Sequence, residues 1–303
     1  MKKRAKALVL KIIESLGYEL TVDRVGVKNS HCKPTVFVHI PKCGGISVDR
    51  AIREKLARTG EKKLQRKPLI ETSLFNFNRP INSLNDKCDF SEFHVKQIQD
   101  ILVYHLNLNW RYVSGHVNVT SHILDHYAEQ YQFVTLLRHP VERFISNYIF
   151  NRLTNHMTIM PPSLSNAPMT KEQLWQEADE LINSRRGWHM ANTMTMFLTG
   201  RYPKDATDAK AMQDEVLNNL AKFSVVGFLD DMPSFEQQLQ KVTGKNIQVG
   251  QHNTTNNIET PDATHIRECL TQYFAQNKIK DLLGSLCTNE LSIMQRLQQQ
   301  RRF

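Results

Sequence analysis

Four short apolar runs, rich in β-branched and aromatic residues, punctuate the chain at 35–40 (TVFVHI), 112–116 (YVSGH), 133–137 (FVTLL) and 224–228 (SVVGF). Runs of this length bounded by Pro, Gly and polar clusters read as buried strands. Between them the apolar period changes to that of a helix. Val48, Ala51, Ile52 and Leu56 share one face of a helix expected over 47–59. Further helices are expected over 121–130, 141–152, 171–199 with a break near Gly187, 211–222, 232–242 and 264–300. Residues 60–90 are polar, with Asn and Lys clusters, and read as a loop-rich insertion, while 91–108 has a mixed helical pattern. The Pro161-Pro162 region (153–170) and the Asn/Thr-rich stretch 245–263 read as loops.

Strands alternating with helices imply an α/β fold, a single P-loop-like domain with a mostly parallel central sheet flanked by helices. With no internal repeat and no Gly/Ser- or Pro-rich linker, the domain is expected over 31–303, preceded by a lead-in over 1–30. In that lead-in, Ala5, Leu8, Val9, Ile12, Ile13 and Leu16 recur at helical spacing behind Lys2, Lys3, Arg4 and Lys6. The apolar run is broken by Lys11 and Glu14, too soon for a secretory leader or a membrane span. An amphipathic helix over 2–16 is the expectation, either packed on the domain or lying on an anionic membrane surface.

Composition adds two constraints. At 40% hydrophobic and 23% charged residues, the 303-residue chain is ordinary for a soluble protein. Lys and Arg outnumber Asp and Glu 39 to 30, a net charge of +9 that suits anionic partners without choosing among nucleotides, glycans and membranes. The five cysteines, Cys32, Cys43, Cys88, Cys269 and Cys287, form no C-x-x-C pair, so neither a zinc site nor a disulfide framework is implied and a reducing, cytoplasmic setting fits.

The chemistry sits at strand ends. His39-Ile40-Pro41-Lys42-Cys43-Gly44-Gly45-Ile46-Ser47 is a strand, a glycine turn and a helix start. Backbone N–H groups there favour an anion, and glycines let it approach closely. Lys42 adds charge and Ser47 a hydroxyl. The lysine precedes the glycines, so this is not a nucleoside-triphosphatase loop. A second string, Leu137-Arg138-His139-Pro140-Val141-Glu142-Arg143-Phe144-Ile145-Ser146-Asn147-Tyr148, puts Arg138 at the end of a strand and Ser146 inside the next helix. A guanidinium and a hydroxyl so placed can grip one phosphate. Arg143 reads either as a structural ion pair or as a ligand contact.

The first string resembles the 5′-phosphosulfate loop of carbohydrate sulfotransferases that use 3′-phosphoadenosine 5′-phosphosulfate (PAPS), the group that includes heparan-sulfate 2-O- and 6-O-sulfotransferases. Those enzymes carry a Pro-Lys-Thr-Gly-Gly-Thr-Ser-like string; this chain has Cys43 and Ile46 where threonine is usual, which removes one hydroxyl beside the phosphate. The second string resembles the family's 3′-phosphate motif. The resemblance implies PAPS as sulfuryl donor without a metal, cofactor contacts from Lys42, Cys43, Gly44, Gly45, Ile46, Ser47, Arg138 and Ser146, and a carbohydrate or glycolipid acceptor rather than nucleic acid.

Sulfuryl transfer asks for a base at the acceptor hydroxyl and a cation beside the leaving oxygen. Lys42 fits the cation. Among twelve histidines, His116 is the expected base, because Gly115-His116 ends a strand and resembles the segment carrying the base in 2-O-type enzymes. His39 is expected to point into the core or at a neighbouring loop, His122 and His126 to be solvated, and His139 at most to line the second loop. Asn192 and Met194 match later family positions without an assigned role, and 252–256 resembles a loop that closes over the nucleotide. Residues 60–110 and 153–185 are expected on the acceptor side. Two other readings stay open: a P-loop-type kinase, whose metal carboxylate would have to be Asp230 or Asp231, and a binding protein that holds a phosphoadenosine nucleotide without turnover.

Overall fold

The computed structural model describes residues 15–17, 32–154, 169–250, 258 and 262–300. The chain divides into two compact units, 1–32 and 33–303. The helix expected over 2–16 lies almost wholly outside the described residues, as do most of the loop at 153–170 and the 252–256 segment.

The second unit is α/β. Four parallel strands, β1 (Thr35–Val38), β2 (Tyr112–Gly115), β3 (Gln132–Leu137) and β4 (Val225–Phe228), form a sheet in the order β2-β1-β3-β4. All four expected runs are strands, in register Val36 opposite Val113 and Phe133, and Thr135 opposite Val226. Both faces of the sheet are covered, so the strands read as continuous apolar runs. Alternation still divides them: Val36 and Val38 face one core with Leu102, Leu198 and Val216, whereas Phe37 faces a second with Val48, Ile52 and Phe235. Each such fully buried side chain contributes about 1.5–3 kcal/mol.

Helices fill the connections. On the first crossover they are α1 (Gly45–Leu56), α2 (Arg66–Phe77) and α3 (Leu84–Asn107), followed after β2 by α4 (Ser121–Tyr127) and after β3 by α5 (Pro140–Leu153). Next come α6 (Lys171–Ile182), α7 (Arg185–Ala191), α8 (Thr193–Thr199) and α9 (Ala206–Leu220). The chain ends in α10 (Met232–Thr243), α11 (Ala263–Ala275), α12 (Asn277–Leu286) and α13 (Thr288–Gln300). A third core joins α5, α6, α7, α11 and α12 around Phe144, Leu181, Leu270 and Leu283.

Two expectations need correction. Residues 60–90 are not loop-rich: α2 and the first turns of α3 occupy them. The start of α3 is fixed by a capping box, in which Ser83 accepts from the Asp86 N–H and Asp86 accepts from the Ser83 N–H. The break in 171–199 lies at 183–184 and at Asn192, not at Gly187, which is inside α7. Ser184 caps α7 by accepting from the N–H groups of Arg186 and Gly187. Gly187 is needed for closeness: a Cβ there would stand 2.4 Å from the Ile182 carbonyl oxygen.

Candidate functional site

A cavity of about 1020 Å³ opens at the C-terminal ends of β1, β2 and β3. Ligands of open parallel sheets bind there, where the chain leaves neighbouring strands in opposite directions. Lys42, Gly44, Gly45, Ile46, Ser47, His116, Arg138 and Ser146 all line it. Cys43 does not: its thiol is buried among core side chains, 3.8 Å from the Pro41 carbonyl, and burial pushes its pKa up to about 12. Any contribution of Cys43 to a ligand is therefore confined to its backbone.

The first loop owes its shape to two left-handed residues, Lys42 at φ 66° and Gly44 at φ 74°. The first is uncommon for a side-chain-bearing residue, and such backbones cluster at ligand sites. No side chain caps α1, so the first N–H groups of that helix are left to face an anion. Gly45 must be bare, because a Cβ would fall 2.1 Å from the His39 ring. His39 itself lines the cavity and is buried, and its Nδ1 has no hydrogen-bond partner among the described residues. Lys42 Nζ sits 4.0 Å from the centroid of Phe150. Burial, and then the nearby Arg138, pull the Lys42 pKa down to about 8.

The second loop is joined to the first. Arg138 Nη1 donates to the Lys42 carbonyl at 3.3 Å and its Nε to Glu142 at 3.4 Å. Pro140 opens α5 at a position where its missing N–H costs nothing. Arg143 resolves as structural: fully buried, it donates to the Met190 carbonyl and lies 3.8 Å from Glu290. His139 is exposed and does not line the cavity.

His116 lines the cavity with its ring packed on His39, centroids 4.4 Å apart. Its Nδ1 lies 2.8 Å from the His39 main-chain oxygen. A carbonyl only accepts, so Nδ1 carries the proton and Nε2 keeps its lone pair. Burial lowers its pKa to about 4, with the His39 carbonyl acting in the opposite sense. The strand bearing it is tied to α1 by Asp49, which accepts from Ser114 Oγ and from Tyr112 Oη at 3.0 Å and pairs with Lys63 at 3.1 Å.

Several lining residues were not singled out by the sequence: Lys63, Arg66, His94, Arg186 and His189. The first three fall within 60–110, but no local motif marks them. His122 and His126 are exposed, as expected. Asp230 and Asp231 are exposed and do not line the cavity, and Asp231 is spent capping α10. Among the described residues no group of three or more His, Cys, Asp or Glu is placed to hold a metal ion, and no helix is long and apolar enough to cross a membrane.

No protein-family model matches the chain, and no curated protein matches it at a significant level.

Proposed function

We propose that the chain is a sulfotransferase that moves a sulfuryl group from PAPS to a hydroxyl of a carbohydrate or glycolipid acceptor. The observation that carries this reading is the meeting of two anion-binding loops at one cavity: Arg138 of the second is bonded to the main chain of Lys42 in the first, and both line it with Ser47 and Ser146. Two phosphate grips in one chamber suit a nucleotide bearing separate 5′- and 3′-phosphates.

The residues present fit such a ligand. The uncapped start of α1 and the Gly44–Gly45 turn suit the 5′-side, and Arg138 with Ser146 suits the 3′-phosphate. When bound, PAPS supplies an activated sulfuryl group, whose transfer forms an S–O bond to the acceptor and breaks the S–O bond to the 5′-phosphate. His116 Nε2 takes the proton of the acceptor hydroxyl, and its Nδ1–H stays on the His39 carbonyl. Lys42 offers its ammonium where negative charge develops on the leaving phosphate oxygen. A cytoplasmic setting, with peripheral membrane contact through residues 2–16, belongs to the same proposal.

Calorimetric titration with 3′-phosphoadenosine 5′-phosphate, set against magnesium-ATP, tests it. The bisphosphate should bind without metal and more tightly than ATP, and Arg138→Ala should weaken it by about ten-fold or more, the worth of a charge-assisted grip. Preference for magnesium-ATP, or no effect of Arg138→Ala, would sink the reading.

A further inference from the structure

The wall of the cavity built by α3 and α7 holds a cation that has no counter-ion among the described residues. Arg186, the second residue of α7, lines the cavity and is only 6% exposed. Its Nη1 donates to Ser91 Oγ on α3 at 2.7 Å, and its Nε has no partner. Acids on the neighbouring surfaces have other partners: Glu92 has Arg185 at 2.6 Å and His189 Nε2 at 3.1 Å, Asp89 has Arg185 at 2.7 Å, and Glu177 has Arg152 at 3.0 Å. Among the described residues no carboxylate pairs with Arg186. Arg143, also buried, has Glu290. Nearby, Lys87 is also buried, and Arg186 adds to the effect of burial in lowering its pKa. His189 lines the same wall and is neutral, its pKa pulled down to about 3 by burial and then by Arg186 and Arg185.

A guanidinium does not shed its proton to escape burial. An uncompensated buried charge costs several kcal/mol, and buried charges are therefore paired. Arg186 lines the cavity, so an anion held there would supply the missing partner. At the start of α7 the N–H groups of Arg186 and Gly187 are taken by Ser184. On the same wall the His189 ring stacks on Tyr202 at 3.9 Å and 5°, and both line the cavity. That ring separates the chamber from a smaller cavity of about 220 Å³ lined by Trp188 and Lys204.

We infer that Arg186 is an anion subsite for the acceptor, and that the acceptor is a small molecule or chain end whose carboxylate, sulfate or phosphate ester docks end-on against the α3–α7 wall. Its role as an acceptor subsite rests on the sulfotransferase reading. Ser91 orients the guanidinium through Nη1, and the terminal end of the group is the part left for the oxyanion.

Glucose, glucuronate, glucose 6-sulfate and glucose 6-phosphate, titrated calorimetrically with and without saturating 3′-phosphoadenosine 5′-phosphate, test this. At least one anionic sugar should bind about ten-fold or more tightly than glucose, as a bidentate guanidinium contact predicts, and the tightest names the oxyanion. Arg186→Met should reduce that sugar to the level of glucose, and Arg186→Lys should keep part of the preference. Ser91→Ala should weaken it with the charge intact, which covers the case that Arg186→Met does not fold. In each folded variant bisphosphate affinity should stay within about two-fold of wild type. Equal binding of glucose and all three anions, binding of none, or a preference that survives Arg186→Met would overturn the subsite. A loss of bisphosphate affinity in Arg186→Met would assign the residue to the nucleotide instead. A long polyuronate that displaces the monosaccharides at equal uronate concentration would overturn the end-on placement. Failure of the wild type to bind the bisphosphate would sink the sulfotransferase reading alone; loss of anion preference with bisphosphate binding intact would sink the subsite alone.

Discussion

His116 is held by His39 through a main-chain bond of 2.8 Å and a ring contact of 4.4 Å. The bond fixes the tautomer of one histidine, and the same residue's ring fills the space beside Gly45. His116 and the loop that follows β1 are thus set relative to each other by a single buried residue.

Burial keeps His116 neutral down to a pH of about 4, against the opposing effect of the His39 carbonyl. His116→Gln should lower sulfuryl transfer by about 10²–10⁴-fold, the range for a lost general base, with bisphosphate affinity retained. The acid limb of the wild-type rate profile should lie well below pH 6.5, the ordinary histidine value. An unchanged rate in the variant would remove His116 from the reaction.

Lys42 should make nucleotide binding sensitive to alkali. Its pKa of about 8 in the free protein rises when an anion binds beside it, so affinity is constant well below pH 8 and falls as pH climbs through that value. Proton uptake on binding near pH 8, read from calorimetry in buffers of different ionisation heat, should accompany this. Lys42→Met should lose both the uptake and the pH dependence.

Gly45→Ala should destabilise the fold by about 1–3 kcal/mol through overpacking, because the new methyl meets the His39 ring. Combining it with His39→Ala should recover part of that loss. Strictly additive effects in a double-mutant cycle by denaturant melts would show that the two positions do not touch.

Histidines on the cavity should make the protein acid-sensitive. Folded values of about 4 for His94 and His116 and about 3 for His189 lie below the ordinary 6.5. The unfolded chain therefore binds more protons between those values, so their contribution is complete above pH 6.5 and is lost as pH falls toward 4. The denaturation midpoint should drop from pH 7.5 to pH 5, and less so in His189→Gln.

The Arg143–Glu290 pair acts in the opposite sense. Burial raises Glu290 to about 7, above the ordinary 4.5, so its charged form is resisted and its contribution declines as pH rises from 4.5 through 7. Arg143→Met alone should cost about 3–5 kcal/mol by stranding the carboxylate, and the double change with Glu290→Leu much less.

The sheet and both loops were legible in the sequence because each is a local pattern: a short β-branched run, then Gly44-Gly45 or Arg138-His139-Pro140 at its end. α2 was not, because Leu69, Ile70, Leu74, Phe75 and Phe77 are spread around its circumference and leave no stripe. Leu69 and Ile70 line the cavity while Phe75 is 83% exposed. The break at 183–184 was missed because a serine cap makes it, and Gly187 drew the eye as a breaker when its use is close packing. Arg186, His189 and His94 carry no motif at all. They share a cavity with Lys42 only when α3 and α7 close over the strand ends, which no local spacing encodes.

The strand order carries a consequence for how the molecule is made. β1 lies between β2 and β3, and Thr135 of β3 bonds the Val38 carbonyl of β1 from 97 residues further along the chain. Contacts that distant in sequence form slowly. On a ribosome, β1 would emerge with its first loop and wait through the whole of α1–α4 before its second neighbour left the tunnel. Until then Lys42 would have no Arg138, and the nascent chain would expose an apolar strand edge for chaperones to cover. The cavity is thus among the last things the chain assembles, and a fragment ending before residue 132 should be a client of chaperones.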